Sequence, residues 1–218
     1  MNLLRSLLVA TWPWRKRLGL VRTRLPLLQS GLTPGEIDTL LANLRETSPR
    51  VYVEVGVFWG GSFRHVLAER DALGLNTECF GVDIWDEIKD PSTNTHVSGM
   101  PNRRKVEQAL RKAGFDRFTL LAATAAELKR LVPADFELAF HDANHTYQSV
   151  RDDMGYIREL MKPGGRLLIH NASRDLKPDR DYVAADGGPY QAVMDEAAAG
   201  TWELIEIRER MAVLRKPL

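Results

Sequence analysis

The chain has 218 residues, 44% of them hydrophobic and 27% charged, and this composition excludes a disordered or fibrous protein. The length suits a single α/β domain, and the formal net charge of +1 gives no indication of a nucleic-acid partner. The single cysteine, Cys79, excludes an internal disulfide and a cysteine-built zinc site, so a reducing cytoplasm is the expected location.

The N-terminus is basic. Six positive residues precede the first acidic residue, Glu36: Arg5, Arg15, Lys16, Arg17, Arg22 and Arg24. Because charges interrupt every apolar run well short of about 20 residues, no membrane span is expected, and Arg5 argues against a secretory signal. We interpret this segment as an arm that packs on its own domain or on a sister subunit. The alternative is an interfacial helix that contacts an anionic membrane or substrate.

The first helix is predicted from about Thr33 to Glu46. Thr33 and Glu36 have the spacing of a capping box, Pro34 stands at the first helical position, and one face is apolar: Ile37, Leu40, Leu41 and Leu44.

From residue 51 onward, strand and helix patterns alternate. Five short apolar runs are predicted as strands: Val51–Val55, Cys79–Asp83, Phe118–Ala122, Phe136–Phe140 and Arg166–Ile169. Segments of helical period lie between several of them, which favours a parallel sheet covered on both faces. At the end of the chain, the runs Trp202–Ile207 and Met211–Leu214 are separated by so few residues that only an antiparallel pair is possible.

A glycine-rich turn follows the first strand. The sequence from Val51 to Ser62 is an apolar strand that ends near the acid Glu54, followed by Gly56, Gly60 and Gly61. Glycines let the chain turn sharply and let a ligand approach the main chain, and Ser62 is predicted to cap the next helix. The alternative is a tight turn without a ligand.

The next strand ends in Asp83. In doubly wound folds an acid at this position accepts hydrogen bonds from ribose hydroxyls, whereas an isolated acid here would only cap a loop. Beside the glycine turn, the nucleoside interpretation is preferred.

Three segments together resemble a known family. The turn resembles the Glu-x-Gly-x-x-x-Gly-x-Ser motif of class I S-adenosylmethionine (SAM)-dependent methyltransferases. Residues 139–153 resemble the segment IDGDHSYEGVxxD of one branch, and residues 160–171 resemble its segment LLKPGGxxxxHD. That branch contains sugar and natural-product O-methyltransferases and cephalosporin hydroxylase-like proteins, and the similarity spans roughly residues 51–214.

The resemblance implies an α/β fold: a Rossmann-like, seven-stranded, mostly parallel sheet with an antiparallel last strand, helices on both faces and an N-terminal helical extension. We therefore divide the chain into a basic extension, residues 1–47, and a SAM-dependent methyltransferase domain, residues 48–218. SAM is expected over the C-terminal strand ends, with its methionine part near Gly56 and its ribose on Asp83. The full set of cofactor-binding candidates is Glu54, Gly56, Gly60, Ser62, Asp83 and Thr124.

The sequence departs from the branch pattern at three places. Ala143 follows Asp142 where glycine is usual. Thr124 stands where relatives often have an acid near the adenine, so that contact would come from backbone groups or elsewhere. His170 and Asn171 replace the His-Asp or Asp-Asn pair of metal-dependent relatives.

Methyl transfer to a hydroxyl requires alignment of donor and acceptor and removal of the acceptor's proton. His145 is the candidate general base, with Asp142 beside it at the reaction centre, because imidazole titrates near neutrality and the residue follows a strand end. Alternatively, Mg²⁺ could acidify the hydroxyl, with Asp142 and Asn171 as its ligands. His141 and His170 could instead be structural.

The sequence therefore predicts a SAM-dependent methyltransferase that acts on a hydroxyl of a sugar or other small metabolite. The alternatives are an N-methyltransferase and a SAM- or substrate-binding module without turnover. The predicted partner is a small hydroxylated molecule, with no nucleic acid, no membrane span and a possible homo-oligomer.

Overall fold

The computed structural model describes residues 27–90, 96, 100–176 and 188–218. The basic arm before residue 27 lies outside these ranges, so its predicted packing or membrane contact stays a prediction. The division of the chain at residue 47 likewise stays a prediction. Within the described ranges, no helix is both long enough and apolar enough to cross a membrane.

Seven strands form one sheet in the order β3-β2-β1-β4-β5-β7-β6. The first five are mutually parallel, whereas β7 is antiparallel to both of its neighbours. This arrangement confirms the predicted mostly parallel sheet with an antiparallel last strand. The strands are β1 (Val51–Val55), β2 (Glu78–Asp83), β3 (Phe118–Ala122), β4 (Phe136–His141), β5 (Met161–Ile169), β6 (Glu203–Arg208) and β7 (Met211–Arg215).

Helices cover both faces of the sheet, as predicted. One hydrophobic cluster joins the sheet to α1, α2 and α3, and a second joins it to α4, α5 and α6. Their bounds are α1 (Pro34–Thr47), α2 (Gly61–Ala72), α3 (Arg103–Lys112), α4 (Leu128–Leu131, after a 3₁₀ turn at Ala125–Glu127), α5 (Tyr147–Leu160) and α6 (Gly188–Ala198).

Helix α1 begins as its sequence predicts. The Thr33 hydroxyl accepts a hydrogen bond from the Glu36 amide, and the Glu36 carboxylate accepts one from the Thr33 amide. Leu40 and Leu44 are buried on the sheet side of the helix. Helix α1 is therefore part of the layer that covers one face of the sheet.

Strand β5 is longer than predicted. It begins at Met161 instead of Arg166, and a register shift in β4 between Phe136 and Leu138 accommodates the extra residues. The added residues include the Pro-Gly-Gly sequence at 163–165, which normally interrupts regular strand pairing and lies where the register shifts. The carboxyl ends of β1, β2, β4 and β5 meet at one edge of the sheet, and the candidate residues lie there.

Candidate active site at the carboxyl edge of the sheet

The glycine turn, residues 56–61, is packed against the end of β4. Gly56 has a φ of +92°, and a Cβ atom placed on it would lie 2.3 Å from the carbonyl oxygen of Asp142. Its amide donates to the Val82 carbonyl at 2.8 Å. Only glycine fits a position that combines this backbone conformation with so close a neighbouring main chain. The turn therefore fixes the distance between the ends of β1 and β4.

Glu54 lies behind the turn and has no exposed surface. Its carboxylate accepts hydrogen bonds from the Ser62 hydroxyl at 2.5 Å and the Tyr52 hydroxyl at 2.6 Å. The prediction that Ser62 caps α2 was wrong, because Gly60 occupies the N-cap position and the Ser62 hydroxyl is directed to Glu54. Burial raises the pKa of Glu54 to about 8, although the two hydroxyl donors oppose that rise.

Asp83 connects the first two strand ends. Its carboxylate accepts hydrogen bonds from the backbone amides of Phe58 at 2.7 Å and Trp85 at 3.3 Å. Both donors have a positive φ, 48° and 50°, so the carboxylate stabilises two strained turns at once. Burial raises the pKa of Asp83, and these amides oppose the rise. Each carboxylate oxygen has a second lone pair, so the predicted contact with ribose hydroxyls is compatible with this role.

Thr124 caps the 3₁₀ turn that follows β3. The Glu127 carboxylate accepts hydrogen bonds from the Thr124 amide at 3.0 Å and its hydroxyl at 3.3 Å. This contact is a capping box, whose Thr-x-x-Glu spacing was visible in the sequence although it was not predicted. The predicted role of Thr124 in cofactor binding stays a prediction.

The Asp142 cluster consists of Asp142, His145, His170 and Asn171. The Asp142 carboxylate lies 3.2 Å from His145 Nε2 and 2.9 Å from His170 Nδ1, with the same oxygen serving both. The Asn171 amide nitrogen lies 3.5 Å from both ring nitrogens of His145. Asn171 has a φ of 55°, a conformation that asparagine tolerates better than most residues. The structure thus brings together every residue predicted for catalysis.

The charges of the cluster are set by its own contacts. Burial would raise the pKa of Asp142, but His170 and His145 hold it far below its usual range. Burial would lower the pKa of His170, but Asp142 and Glu36 raise it to about 9. At neutral pH the site therefore contains an imidazolium at His170 beside a carboxylate at Asp142.

Glu36 is the functional candidate that sequence reasoning missed. It has no exposed surface, and its carboxylate accepts hydrogen bonds from Arg210 Nε at 2.8 Å and Nη2 at 3.0 Å. Its Oε1 lies 3.4 Å from His170 Nε2. Burial would raise the pKa of Glu36, but His170, Arg210 and the Thr33 amide lower it to about 2. No local spacing connects residues 36 and 170, so the sequence suggested only a helix cap.

His141 lies outside the cluster. Its ring is buried and its Nε2 lies 2.8 Å from the Asp153 carboxylate of α5. This is the structural role that the sequence left open for His141. Asp153 thus attaches α5 to the end of β4 and contacts His141 instead of Asp142.

The donor set does not fit Mg²⁺. Among the described residues, the ligand atoms of Asp142, His145 and His170 lie within 4.8 Å of one another, but two are imidazole nitrogens, whereas Mg²⁺ prefers oxygen. The Oδ1 atom of Asp142 already contacts two imidazoles. The remaining oxygens are Asp142 Oδ2 and Asn171 Oδ1, and the latter is buried without a hydrogen-bond partner in the described part of the chain.

A small cleft is lined by three of the predicted site residues, Gly56, Ser62 and Asp142, and not by Gly60 or His145. It is lined by residues 29–32, by much of the glycine turn and Ser62, and by Asp142. Glu54 is not among the lining residues, so a contribution to cofactor binding would pass through Ser62. Asp83 and Thr124 also lie outside the lining, at the carboxyl ends of β2 and β3.

Comparison with known proteins identifies the family. Residues 53–172, more than half of the chain, match the profile of a family described as a methyltransferase domain. The chain belongs to this methyltransferase family. The match confirms the resemblance drawn from the three sequence segments, and it includes both the glycine turn and the Asp142 cluster.

Solved structures share the methyltransferase fold. The O-methyltransferase TomG from Streptomyces achromogenes, in complex with SAM, is 15% identical with a TM-score of 0.63 over 97% of this chain and 89% of that chain. An O-methyltransferase from Bacillus cereus in complex with SAH is 14% identical with a TM-score of 0.60, over 97% and 91%. An rRNA methylase from Streptococcus thermophilus is 17% identical with a TM-score of 0.55, over 87% and 100%. Because one of these proteins is an rRNA methylase and the other two are O-methyltransferases, this likeness shows the fold and does not identify the acceptor.

Gly56→Ala should destabilise the methyltransferase through the contact with Asp142. Gly114→Ala is the matched control, since Gly114 also has a positive φ (+97°) but no atom near its Cβ position. Gly114→Ala should lower the free energy of unfolding by about 1 kcal/mol because of backbone strain. Gly56→Ala should cost about 1 to 3 kcal/mol more from overlap with the β4 main chain. If urea unfolding shows the same loss of unfolding free energy in both variants, the close approach of Gly56 to the Asp142 main chain is contradicted.

Glu54 should make stability depend on pH. The folded protein holds the Glu54 proton with a pKa of about 8, against 4.5 for the ordinary group, so folding favours the protonated form. The contribution of Glu54 is therefore greatest below about pH 4.5 and is lost as the pH rises through 8. Glu54→Gln, which resembles the protonated acid, should gain stability relative to wild type over this window. Parallel stability–pH curves for the two proteins would contradict the raised pKa.

Proposed function

We propose that this methyltransferase transfers the methyl group of SAM to a hydroxyl oxygen of a sugar or another small metabolite. The observation that carries the proposal is the contact between the glycine turn and Asp142, whose carboxylate also contacts His145. The turn predicted to hold the methionine part of SAM is therefore adjacent to a base at the same sheet edge. The sequence resemblance to sugar and natural-product O-methyltransferases also supports it.

The proposed reaction is a direct displacement at the methyl carbon of SAM. The acceptor oxygen attacks the methyl carbon, the carbon–sulfur bond breaks, and S-adenosylhomocysteine leaves with the electron pair. His145 accepts the hydroxyl proton as the carbon–oxygen bond forms. If its Nε2 donates to Asp142, its Nδ1 is the basic nitrogen, and Asp142 fixes that tautomer and stabilises the imidazolium that results.

SAM is the cofactor of this proposal, and Glu54, Gly56, Gly60, Ser62, Asp83 and Thr124 remain the predicted residues of its site. SAM bound in TomG and SAH bound in the Bacillus cereus enzyme support this choice of cofactor. A cytoplasmic location and a possible homo-oligomer are retained as parts of the proposal.

The decisive experiment measures binding and turnover separately. Calorimetry should detect binding of SAM and of S-adenosylhomocysteine to the protein. In a panel of sugars and other hydroxylated metabolites, at least one compound should accept a labelled methyl group from SAM. A panel of matched amines tests the N-methyltransferase alternative. Binding without transfer to any acceptor would favour the binding module without turnover, and absence of binding would exclude SAM as donor.

His145→Ala should lower kcat by about 10² to 10⁴-fold, because the proton would lose its acceptor. Affinity for SAM should stay within about two-fold, since the residue is not a predicted cofactor contact. His65→Ala is the control, because His65 belongs to α2 and contacts Arg64 instead of the Asp142 cluster. An unchanged rate in His145→Ala would disprove the base assignment.

Removal of divalent metal should leave turnover unchanged. The sequence suggested Mg²⁺ on Asp142 and Asn171, but two of the three clustered donors are imidazole nitrogens, which fit this ion poorly. We therefore assign no step to a metal. The rate after EDTA treatment and dialysis should equal the untreated rate. A lost rate that Mg²⁺ restores would establish the metal-dependent mechanism instead.

A further inference from the structure

Helix α1 brings a buried carboxylate to the active site from outside the segment that matches the methyltransferase family. Glu36 lies in the first turn of α1, whereas the family match begins at residue 53. A buried carboxylate is costly unless it is paired, and Arg210 binds this one through two hydrogen bonds. These bonds fix the carboxylate in one position.

The turn between β6 and β7 holds the start of α1 against the site. The Thr33 hydroxyl donates to the Glu209 carboxylate in this turn, next to the Arg210 contact with Glu36. On its other side, the Arg210 carbonyl accepts a hydrogen bond from the Ala172 amide at 2.8 Å, one residue after Asn171. The same turn therefore contacts both α1 and the end of β5.

His170 lies between two carboxylates. Its Nδ1 lies 2.9 Å from the Asp142 carboxylate, and its Nε2 lies 3.4 Å from Glu36 Oε1. The Nε2 atom is buried and has no hydrogen-bond partner among the described residues, so Glu36 is the charge that it faces. A ring with an anion at each nitrogen has one favoured orientation. The raised pKa of His170, caused by Asp142 and Glu36, agrees with this placement.

We propose that Glu36 is a positioning residue of the active site: it orients the His170 ring so that Nδ1 donates to Asp142, and Asp142 in turn orients His145. Glu36 does not contact the reacting atoms, because it has no exposed surface and acts through His170. The effect on turnover rests on the proposed function, whereas the effect on the His170 ring does not.

The main variant is Glu36→Gln. Glutamine also serves in a capping box, so α1 should keep its start while the charge is removed. The matched control is Glu137→Gln. Glu137 is also a buried carboxylate, but it accepts hydrogen bonds from the Arg50 and Val51 amides at the opposite end of the strands. Both variants should lose stability, and only Glu36→Gln should affect the site.

The first measurement needs neither cofactor nor acceptor. Imidazole ¹⁵N and ¹H NMR signals of His170 are assigned from their loss in His170→Asn. Glu36→Gln should shift these signals and Glu137→Gln should leave them in place. Unchanged His170 signals in Glu36→Gln would overturn the proposal, even if no methyl acceptor had been found. Failure to find an acceptor would count against the proposed function alone.

The second measurement is a double-mutant cycle on kcat, with the acceptor identified in the panel above. Glu36→Gln should lower kcat by about ten-fold, with SAM affinity within about two-fold of wild type. His170→Asn retains an amide that reaches Asp142 but removes the nitrogen that faces Glu36. In that background Glu36→Gln should change kcat by less than about two-fold. Equal effects in the two backgrounds would show a merely structural role and overturn the proposal.

Glu36→Asp tests the same role in case Glu36→Gln does not fold. Aspartate keeps the charge but withdraws the carboxylate from His170 by one methylene. It should shift the His170 signals and lower kcat in the same direction as Glu36→Gln. If both the His170 signals and kcat of Glu36→Asp equal those of the wild type, the positioning role is contradicted.

Discussion

The close approach of Gly56 to the main chain of Asp142 is the constraint on which the site depends. Parallel strands bring their carboxyl ends to one edge, but the side chains there still need a fixed separation. The absence of a Cβ on Gly56 lets the turn after β1 lie directly against the end of β4. The predicted donor site and the Asp142 end of β4 are thereby held by backbone contact and not by flexible side chains.

Charge alternates through the site from one layer of the fold to the next. Arg210 from the β6–β7 turn neutralises Glu36, Glu36 faces His170, and His170 contacts Asp142. Each buried charge has an opposite neighbour, which is the condition under which burial is tolerated. The opposite pKa shifts of His170 and Asp142 are the result of this alternation.

Several candidate residues have structural contacts as well as predicted functional ones. Asp83 accepts hydrogen bonds from the backbone amides of two strained turns. Glu54 is buried behind the glycine turn, where it accepts a hydrogen bond from Ser62. Residues at strand ends have to satisfy backbone amides that are not part of the sheet, and carboxylates and hydroxyls do this well. A polar side chain at this edge can therefore support the turn and still offer a lone pair to a ligand.

The sequence by itself determined the fold class, the order of strands and helices, the capping box of α1 and the groups gathered at the sheet edge. Periodicity and local spacing carry this information, because the contacts involved are short in sequence or follow from parallel pairing. His145 and Asp142 were recognisable because both lie in the segment that resembles the family and follow a predicted strand end. The tertiary structure decided which side chains contact one another. Ser62 contacts Glu54 instead of capping α2, and His141 pairs with Asp153. Above all, only packing brings Glu36 to His170, since a contact across 134 residues depends on how α1 lies against the sheet.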